Sequence, residues 1–227
     1  MSTDRRLSRG EASEATDSLG WRFVLGALRT QVPAAGLADA AAIATAAITS
    51  CGASAQEHLS VDIRGDRVLL RLRSPDGGVF ESDAAAARAI TAELASQGRV
   101  TSSPPGGAGD LQAIEIAIDA LDIVAIRPFW KAVTGYVDEP GARPEDGLVD
   151  PLGCGPPIWF QQMDAARPQR NRIHLDISVP HEIARERLDA ALQAGGELRS
   201  AAAAPAFWVL ADAEGNEACV CTWQGRD

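Results

Sequence analysis

The feature that most constrains the fold of this chain is an internal repeat in its second half. The stretch LQAIEIAIDALDIVAIRPFWKAVTGY (111–136) predicts a strand, a loop, a helix and a glycine in that order. The stretch NRIHLDISVPHEIARERLDAALQAGG (171–196) predicts the same order, and strand-like segments follow each copy. The pattern therefore predicts two βαβββ modules in tandem. Such modules bury their sheets against each other, and their curvature can leave a cavity for a small molecule.

A second constraint is the segment GRVTSSPPGGAGD, which covers residues 98–110. It is rich in proline, glycine and serine and has almost no large apolar side chain, a composition that predicts a linker. The sequence therefore predicts one domain at residues 1–97 and another at residues 111–227, both of ordinary domain size.

The first domain is predicted to be a small antiparallel sheet with helices on one face. Apolar residues alternate on both sides of RGD (64–66), a pattern typical of a β-hairpin. A helix is expected before the hairpin, with Leu37 and Ile48 at the two ends of its buried face. A second helix is expected after it, capped by Ser82 or Asp83. Together with the tandem modules, this predicts an α+β protein.

Charge and hydropathy limit the partners of the chain. Its 227 residues carry a formal net charge of -10, whereas nucleic acid binding needs basic patches, so no nucleic acid partner is expected. The longest uncharged run near the start, AAAIATAAITSCGASA, is rich in Ala, Thr and Ser and is shorter than the roughly 20 apolar residues of a membrane span. The first residues mix both charges, unlike a secretory signal. We therefore expect a cytoplasmic protein with no membrane partner and with its four cysteines reduced.

Four segments of the second half occur in the order expected for a known family. They are RPFWKAVTGY (127–136), GPPIWFQQM (155–163), NRIHLDISV (171–179) and VLADAEGNEACV (209–220). These segments resemble the glyoxalase-like branch of the vicinal oxygen chelate superfamily. The resemblance implies a fold of the glyoxalase/bleomycin-resistance type, with paired βαβββ modules forming a cupped small-molecule site. It also implies a homodimer.

Metalloenzymes of this superfamily hold a divalent metal with His or Glu at four points, on the first and last strand of each module. The resemblance places at or near these points His174, Gln161, Cys219 and Ala113, with Glu115 two residues after the last of them. One histidine, one amide and one thiol are a poor donor set for a hard cation. Strand alternation is expected to turn Glu217 to the other face. We therefore predict no cofactor and no metal site, and metal dependence is the alternative.

Two segments of the first half, LSRGEASEATDSLGWRF (7–23) and EHLSVDIRGDRVLLRLRSPDGGVFESDAAAARAI (57–90), resemble pterin-4a-carbinolamine dehydratases. That family transfers protons with three histidines. Here His58 matches one of them, Glu57 stands in place of the second, and Pro75 falls where the third is expected. The resemblance implies a degenerate site in which His58 and Glu57 are the candidate catalytic residues. We expect His58→Ala to change the free energy of unfolding by no more than about 1 kcal/mol.

Three functions are compatible with the sequence. The first is a small-molecule binding protein or unassigned enzyme, with an inactive dehydratase-like first domain. Its candidate ligand-binding residues are His174, Gln161, Cys219, Glu115, Trp130, Trp159 and Phe207. The second is an active lyase, either a 4a-hydroxytetrahydrobiopterin dehydratase or a metal-dependent glyoxalase-like enzyme. The third is a non-catalytic protein whose domains support oligomerisation and interaction.

Overall fold

The computed structural model describes residues 4–102, 111–166 and 173–225. The chain divides between Ala113 and Ile114 into two compact units, each with its own hydrophobic core. We call them the N-terminal unit and the C-terminal unit. Among the described residues, none of the helices is long and apolar enough to cross a membrane.

The described part of the N-terminal unit alternates short helices with one sheet. Its elements are α1 (Arg9–Glu14), β1 (Arg22–Val24), β2 (Ala27–Pro33), α2 (Leu37–Cys51), α3 (Ala55–His58), β3 (Leu59–Ile63), β4 (Arg67–Leu72) and α4 (Glu81–Ser96). The strands form an antiparallel sheet in the order β1-β2-β4-β3. Side chains alternate between its faces, and one face carries Leu28, Val32, Val68 and Leu72 into the core beside α2 and α4.

Helix α2 buries a narrower face than its sequence predicts. Its buried residues are Ala40, Ile43, Ala44 and Ala47, whereas Leu37 and Ile48 are exposed. Helix α4 likewise buries alanines, together with Ile90 and Leu94. Small side chains allow these two helices to pack closely, so the contact zone lies at the middle of α2. The apolar residues near its two ends fall outside that zone.

The first residues after α4 pack on the N-terminal unit. The Arg99 guanidinium binds both carboxylate oxygens of Asp39, in the first turn of α2. Thr101 is buried and its hydroxyl donates to the carbonyl of Leu19 at 2.7 Å. Ser102 pairs with Gln31 of β2 in an isolated bridge. The remainder of the expected linker, residues 103–110, lies outside the described residues.

The described part of the C-terminal unit contains the repeated order seen in the sequence. Its elements are β5 (Ile116–Ala120), α5 (Ile123–Thr134), β6 (Val137–Asp138), β7 (Leu148–Val149), β8 (Ile158–Gln162), β9 (Leu175–Ser178), α6 (Ala184–Gln193), β10 (Glu197–Ser200), β11 (Phe207–Ala211) and β12 (Glu217–Cys221). The side chain of Asp122 caps α5 by accepting from the backbone N–H of Ala125, and Gly135 ends the helix in the left-handed conformation.

The two modules have the same sheet topology. The first sheet has the order β5-β8-β7-β6 and the second has the order β9-β12-β11-β10. In both, the first strand of the module pairs in parallel with the last, and the other pairs are antiparallel. The predicted tandem βαβββ modules and the α+β class are therefore confirmed, as are the helices on one face of the N-terminal sheet.

One core joins the two modules, and the turn between β11 and β12 ties them together. The buried carboxylate of Asp212 accepts the indole N–H of Trp130 at 2.9 Å and the side-chain amide of Asn216. The carboxylate of Glu214 accepts the backbone N–H groups of Leu121 and Asp122, just before α5. This turn of the second module therefore fixes the start and the middle of the first module's helix.

Candidate functional site

Each module sheet has one face in the core and one face turned away from it. In the first module, Ile118, Ile158 and Phe160 are buried in the core. Alternation places Trp159 and Gln161 of β8 on the opposite face. Both are exposed, with Trp159 38% exposed. We call this the outer face of the first module.

The neighbouring strand β5 adds a carboxylate to this outer face. Asp119 lies directly opposite Gln161 in the parallel register, and Ala117 lies directly opposite Trp159. Because Ala117 is small and exposed, it leaves the indole of Trp159 accessible from the side. The outer face thus presents an aromatic surface next to an amide and a carboxylate, a combination that suits a small polar organic ligand.

The outer face of the second module is more polar. Ala218 and Val220 of β12 belong to the core, so alternation places Cys219 on the outer face. Asp176 lies opposite Cys219 on the parallel strand β9. Phe207 at the start of β11 lies opposite Cys221, and it is 36% exposed. His174, just before β9, is exposed.

Cys219 is a neutral thiol in this environment. Burial, followed by the hydrogen bond with the Asp176 side chain, raises the pKa of the Cys219 thiol to about 11. Metal binding and nucleophilic attack both require the thiolate. At neutral pH, Cys219 is therefore a packing and hydrogen-bonding group rather than a reactive one.

The expectation for Glu217 is wrong. Glu217 is the first residue of β12 and stands two positions before Cys219, so both side chains project from the same face of the sheet. The negative charge of Glu217 is among the causes that raise the pKa of the Cys219 thiol.

The four expected metal positions do not fit a divalent ion. Gln161 is opposite Asp119, which follows Glu115 by four residues, so these two donors are about 13 Å apart along the strands. Strand side chains stand roughly perpendicular to the sheet, so they cannot reach one ion. Ala113 has no donor and Cys219 is protonated. Among the described residues, no group of three or more His, Cys, Asp or Glu side chains could hold a metal ion.

Several aromatic residues of the expected site belong to the core. Trp130 is 2% exposed, packs edge-to-face on Phe129, and donates its N–H to Asp212. Phe160 is buried on the core face of β8, and Trp208 packs against the same core. The prediction of Trp130 as a ligand contact is therefore corrected: a buried indole satisfied by a buried carboxylate is a structural element. Trp159 and Phe207 are the exposed aromatic candidates.

In the N-terminal unit, His58 ends α3 and contacts a carboxylate that the sequence did not predict. Its Nδ1 lies 2.7 Å from Oδ1 of Asp83. Asp83 is completely buried, and its other oxygen accepts the backbone N–H of Phe80 at 2.7 Å. The side chain of His58 is 14% exposed. The contact fixes the orientation of the imidazole ring. It was not predictable from the spacing of residues, because His58 and Asp83 are 25 positions apart in the chain.

The other members of the expected proton-transfer site do not join this pair. Glu57 is exposed, and Pro75 is an exposed residue of the turn that follows β4. In that turn, the Ser74 hydroxyl accepts the backbone N–H of Asp76 and so caps the loop. The N-cap of α4 is Phe80 and not Ser82 or Asp83, because the helix begins at Glu81, but the side chain of Asp83 contributes to the cap by accepting the backbone N–H of Phe80. Asp83 therefore lies in the first turn and points back to Phe80 and His58.

Comparison with known proteins agrees with the modular architecture of the C-terminal unit. Residues 115–221 match the family model described as a glyoxalase-like domain. This part of the chain is therefore similar to glyoxalase-like domains. The match begins at Glu115 and ends at Cys221, so both outer faces lie within it. A search of curated protein sequences found no match to the chain.

Three similar solved structures each cover between 39% and 51% of this chain. A glyoxalase/bleomycin resistance protein/dioxygenase family enzyme from Burkholderia phytofirmans is 22% identical, with 48% of this chain and 95% of that chain covered and a TM-score of 0.39. The fosfomycin resistance protein FosX from Listeria monocytogenes, complexed with Mn(II) and sulfate, is 13% identical, with 51% of this chain and 91% of that chain covered and a TM-score of 0.40. A transcriptional coactivator/pterin dehydratase from Brucella melitensis is 26% identical, with 39% of this chain and 98% of that chain covered and a TM-score of 0.34.

Proposed function

We propose that the glyoxalase-like domain binds a small polar organic molecule on its outer faces and that it does so without a divalent metal. The observation that carries this proposal is the placement of Trp159. Its large indole is exposed on a strand, between a small alanine and an amide, while the opposite face of the same strand is fully packed. An exposed aromatic side chain on a rigid strand is suited to stacking on a ligand.

The polar groups around Trp159 define the chemistry of the ligand. Gln161 offers both a donor and an acceptor, and Asp119 offers a carboxylate opposite it. These groups favour a ligand with hydroxyl or amine donors and at least one flat apolar part. Phe207, His174 and Asp176 are the corresponding candidates in the second module. All of these residues are proposed contacts.

The absence of a metal in the proposal rests on the donor set. Glu115 and Gln161 are too far apart along their strands, and the Cys219 thiol is held in its neutral form by burial and by Asp176. No step of the proposed binding therefore depends on a cation. If the domain also catalyses a reaction, a lyase reaction that proceeds by proton transfer through carboxylates or His174 is the class we propose.

Tryptophan fluorescence tests the binding proposal. The full chain, dialysed against a strong chelator, is titrated with a panel of polar aromatic and carbonyl compounds. We expect at least one compound to quench the emission, and Trp159→Phe to remove most of that response. We also expect Phe207→Ala to weaken binding by roughly two- to tenfold if the ligand reaches the second module.

Trp223→Phe is the matched control, because Trp223 is also exposed but lies after β12, where it contacts His181. It should keep the ligand response. An unchanged response in Trp159→Phe contradicts the proposed site. Binding that is lost on chelation and restored by Zn²⁺ or Mn²⁺ contradicts the metal-free proposal but not the site.

For the N-terminal unit, we propose a structural role and no pterin dehydration. This proposal is supported by the replacement of two of the three expected proton-transfer groups, whereas His58 remains and contacts Asp83, which orients its ring. Glu57 is exposed and Pro75 has no proton to transfer. Homodimerisation, which the resemblance implies, is part of this proposal, with the N-terminal unit as a candidate dimerisation module.

A further inference from the structure

The face of the N-terminal sheet that is turned away from the helices carries a row of arginines. Arg22 of β1 lies opposite Arg29 of β2, and Arg29 lies opposite Arg71 of β4. Ser60 of β3 completes the row opposite Arg71 and accepts a hydrogen bond from its guanidinium at 3.1 Å. Three neighbouring strands therefore present arginines at the same level.

This arrangement is unfavourable for the isolated sheet. Like charges directly opposite each other on neighbouring strands destabilise the pairing. Burial lowers the pKa of the Arg29 guanidinium, and the positive charges of Arg71 and Arg73 lower it further. Arg29 donates to the backbone carbonyl of Val24 at 3.4 Å, and no ion pair with it is found within the described part of the chain. A row that lowers stability in this way is typical of a binding function.

We propose that Arg22, Arg29 and Arg71 bind a small oxyanion with more than one negative charge, such as the phosphate groups of a phosphorylated metabolite. A guanidinium presents a planar fork of N–H donors that matches phosphate and carboxylate oxygens in a bidentate way. Neighbouring strands are about 4.8 Å apart, so the row spans about 10 Å. That length fits a di- or triphosphate group better than one monovalent anion.

The ends of the row limit the size of the ligand. Arg22 lies 3.8 Å from the carboxylate of Asp17 at one end. Asp62, two residues after Ser60 on β3, projects from the same face at the other end. Carboxylates at both ends and a chain charge of -10 oppose a long polyanion. The geometry therefore favours a small ligand over a nucleic acid.

Calorimetric titration of the full chain with inorganic triphosphate at low ionic strength tests the proposal. We expect binding by the wild type that weakens at least about tenfold in Arg29→Gln. Arg29→Lys, which keeps the charge but loses the fork, should fall between the two. The matched control is Arg185→Gln, because Arg185 is an exposed arginine that pairs with Asp189 on α6 of the C-terminal unit, away from the row. It should bind as the wild type does.

Thermal unfolding provides a second readout that does not need a measurable heat of binding. Without anion, Arg29→Gln should melt at a higher temperature than the wild type, because the substitution removes a like-charge contact. Triphosphate should raise the melting temperature of the wild type and leave that of Arg29→Gln unchanged. Failure of the wild type to bind triphosphate, or equal binding by Arg29→Gln, overturns the proposal. Tighter binding of a short DNA duplex than of triphosphate also overturns it.

Discussion

At the scale of single residues, the contact between His58 and Asp83 changes what His58 is expected to do. Asp83 is completely buried, and its carboxylate is satisfied by the imidazole on one oxygen and by the backbone N–H of Phe80 on the other. A buried carboxylate that loses one partner keeps its desolvation cost without compensation. The stability of this corner of the N-terminal unit therefore depends on His58.

His58→Ala is expected to lower the free energy of unfolding by about 1–3 kcal/mol, more than the limit of about 1 kcal/mol expected from the sequence alone. The reason is that the substitution leaves one oxygen of Asp83 unpaired in a buried position. Chemical denaturation of both proteins at pH 7 measures the difference. His181→Ala is the control, because His181 is more exposed and its partners are surface groups. A His58→Ala variant as stable as the His181→Ala variant would contradict the structural role.

The residue scale also shows where sequence patterns stop being informative. Alternation along β8 and β12 separates core from outer positions, so the outer location of Trp159 and Cys219 was predictable. The role of Trp130 was not, because its partner Asp212 lies 82 positions away in the chain. The same holds for Asp83, whose side chain closes on His58 only after α3 and α4 pack. Long-range polar pairs leave no periodic signal.

At the scale of secondary structure elements, Asp39 and Arg99 connect the start of α2 to the residues that follow α4. Asp39 also accepts the backbone N–H of Ala35 at 2.8 Å. The hydrogen bonds from Arg99, followed by the one from Ala35, lower the pKa of the Asp39 carboxyl below its ordinary value. Because a lowered folded-state pKa means that folding favours the ionised form, the contact stabilises the unit only when Asp39 is charged.

Asp39→Asn should therefore lower the melting temperature at pH 7. The difference in melting temperature between Asp39→Asn and the wild type should reach its full size above about pH 4, where the carboxyl is ionised in the unfolded chain as well. This difference in melting temperature should shrink as the pH falls below about 4, and it should disappear below the pKa of Asp39 in the folded state. Melting curves at pH 7 and pH 3 measure this change. Asp62→Asn, which breaks an exposed pair between β3 and Arg64 of the following turn, should show a much smaller effect at pH 7.

Helix α2 illustrates why the boundaries of a buried face are harder to predict than the helix itself. Its spacing of apolar residues predicted a helix, and the structure has one from Leu37 to Cys51. The face was misplaced because α4 packs against the alanines in the middle and not against Leu37 or Ile48. Which part of an amphipathic face is covered depends on the crossing point of the partner helix, and that is a tertiary property.

At the scale of the whole molecule, the two hydrophobic cores share no residue. One core is built from residues between Ala12 and Leu94, and the other from residues between Ile118 and Val220. Each core is therefore closed within its own unit. Independent cores of this kind are a property of domains that fold on their own.

Brief digestion with a protease of broad specificity is expected to cut first between residues 103 and 110. Those residues are Ser, Pro, Gly, Ala and Asp, so they offer little apolar surface to protect them, whereas residues 99–102 pack on the N-terminal unit. Mass spectrometry should find two fragments, and circular dichroism should show that both stay folded. First cleavage within residues 4–98 or 116–221 would contradict two independently folded units.

The architecture was more predictable at this scale than at the other two. The repeat in the second half was visible as two copies of one pattern, and each copy became one module with the same strand order. The exact pairing within each module was not predictable, because parallel pairing of a first and last strand depends on contacts across some forty residues. The same holds for the candidate site. The sequence showed which residue types it contains, but it did not show which residues lie opposite each other on neighbouring strands.

Parallel pairing of the first and last strand has a consequence for how such a chain can be rearranged. In each module, the strand that enters and the strand that leaves lie side by side at one edge of the sheet. Because the two strands are parallel, the chain enters a module at one end of the sheet and leaves it at the other, so a second module can follow without threading through the first sheet. This geometry makes tandem gene duplication a simple route to the present unit.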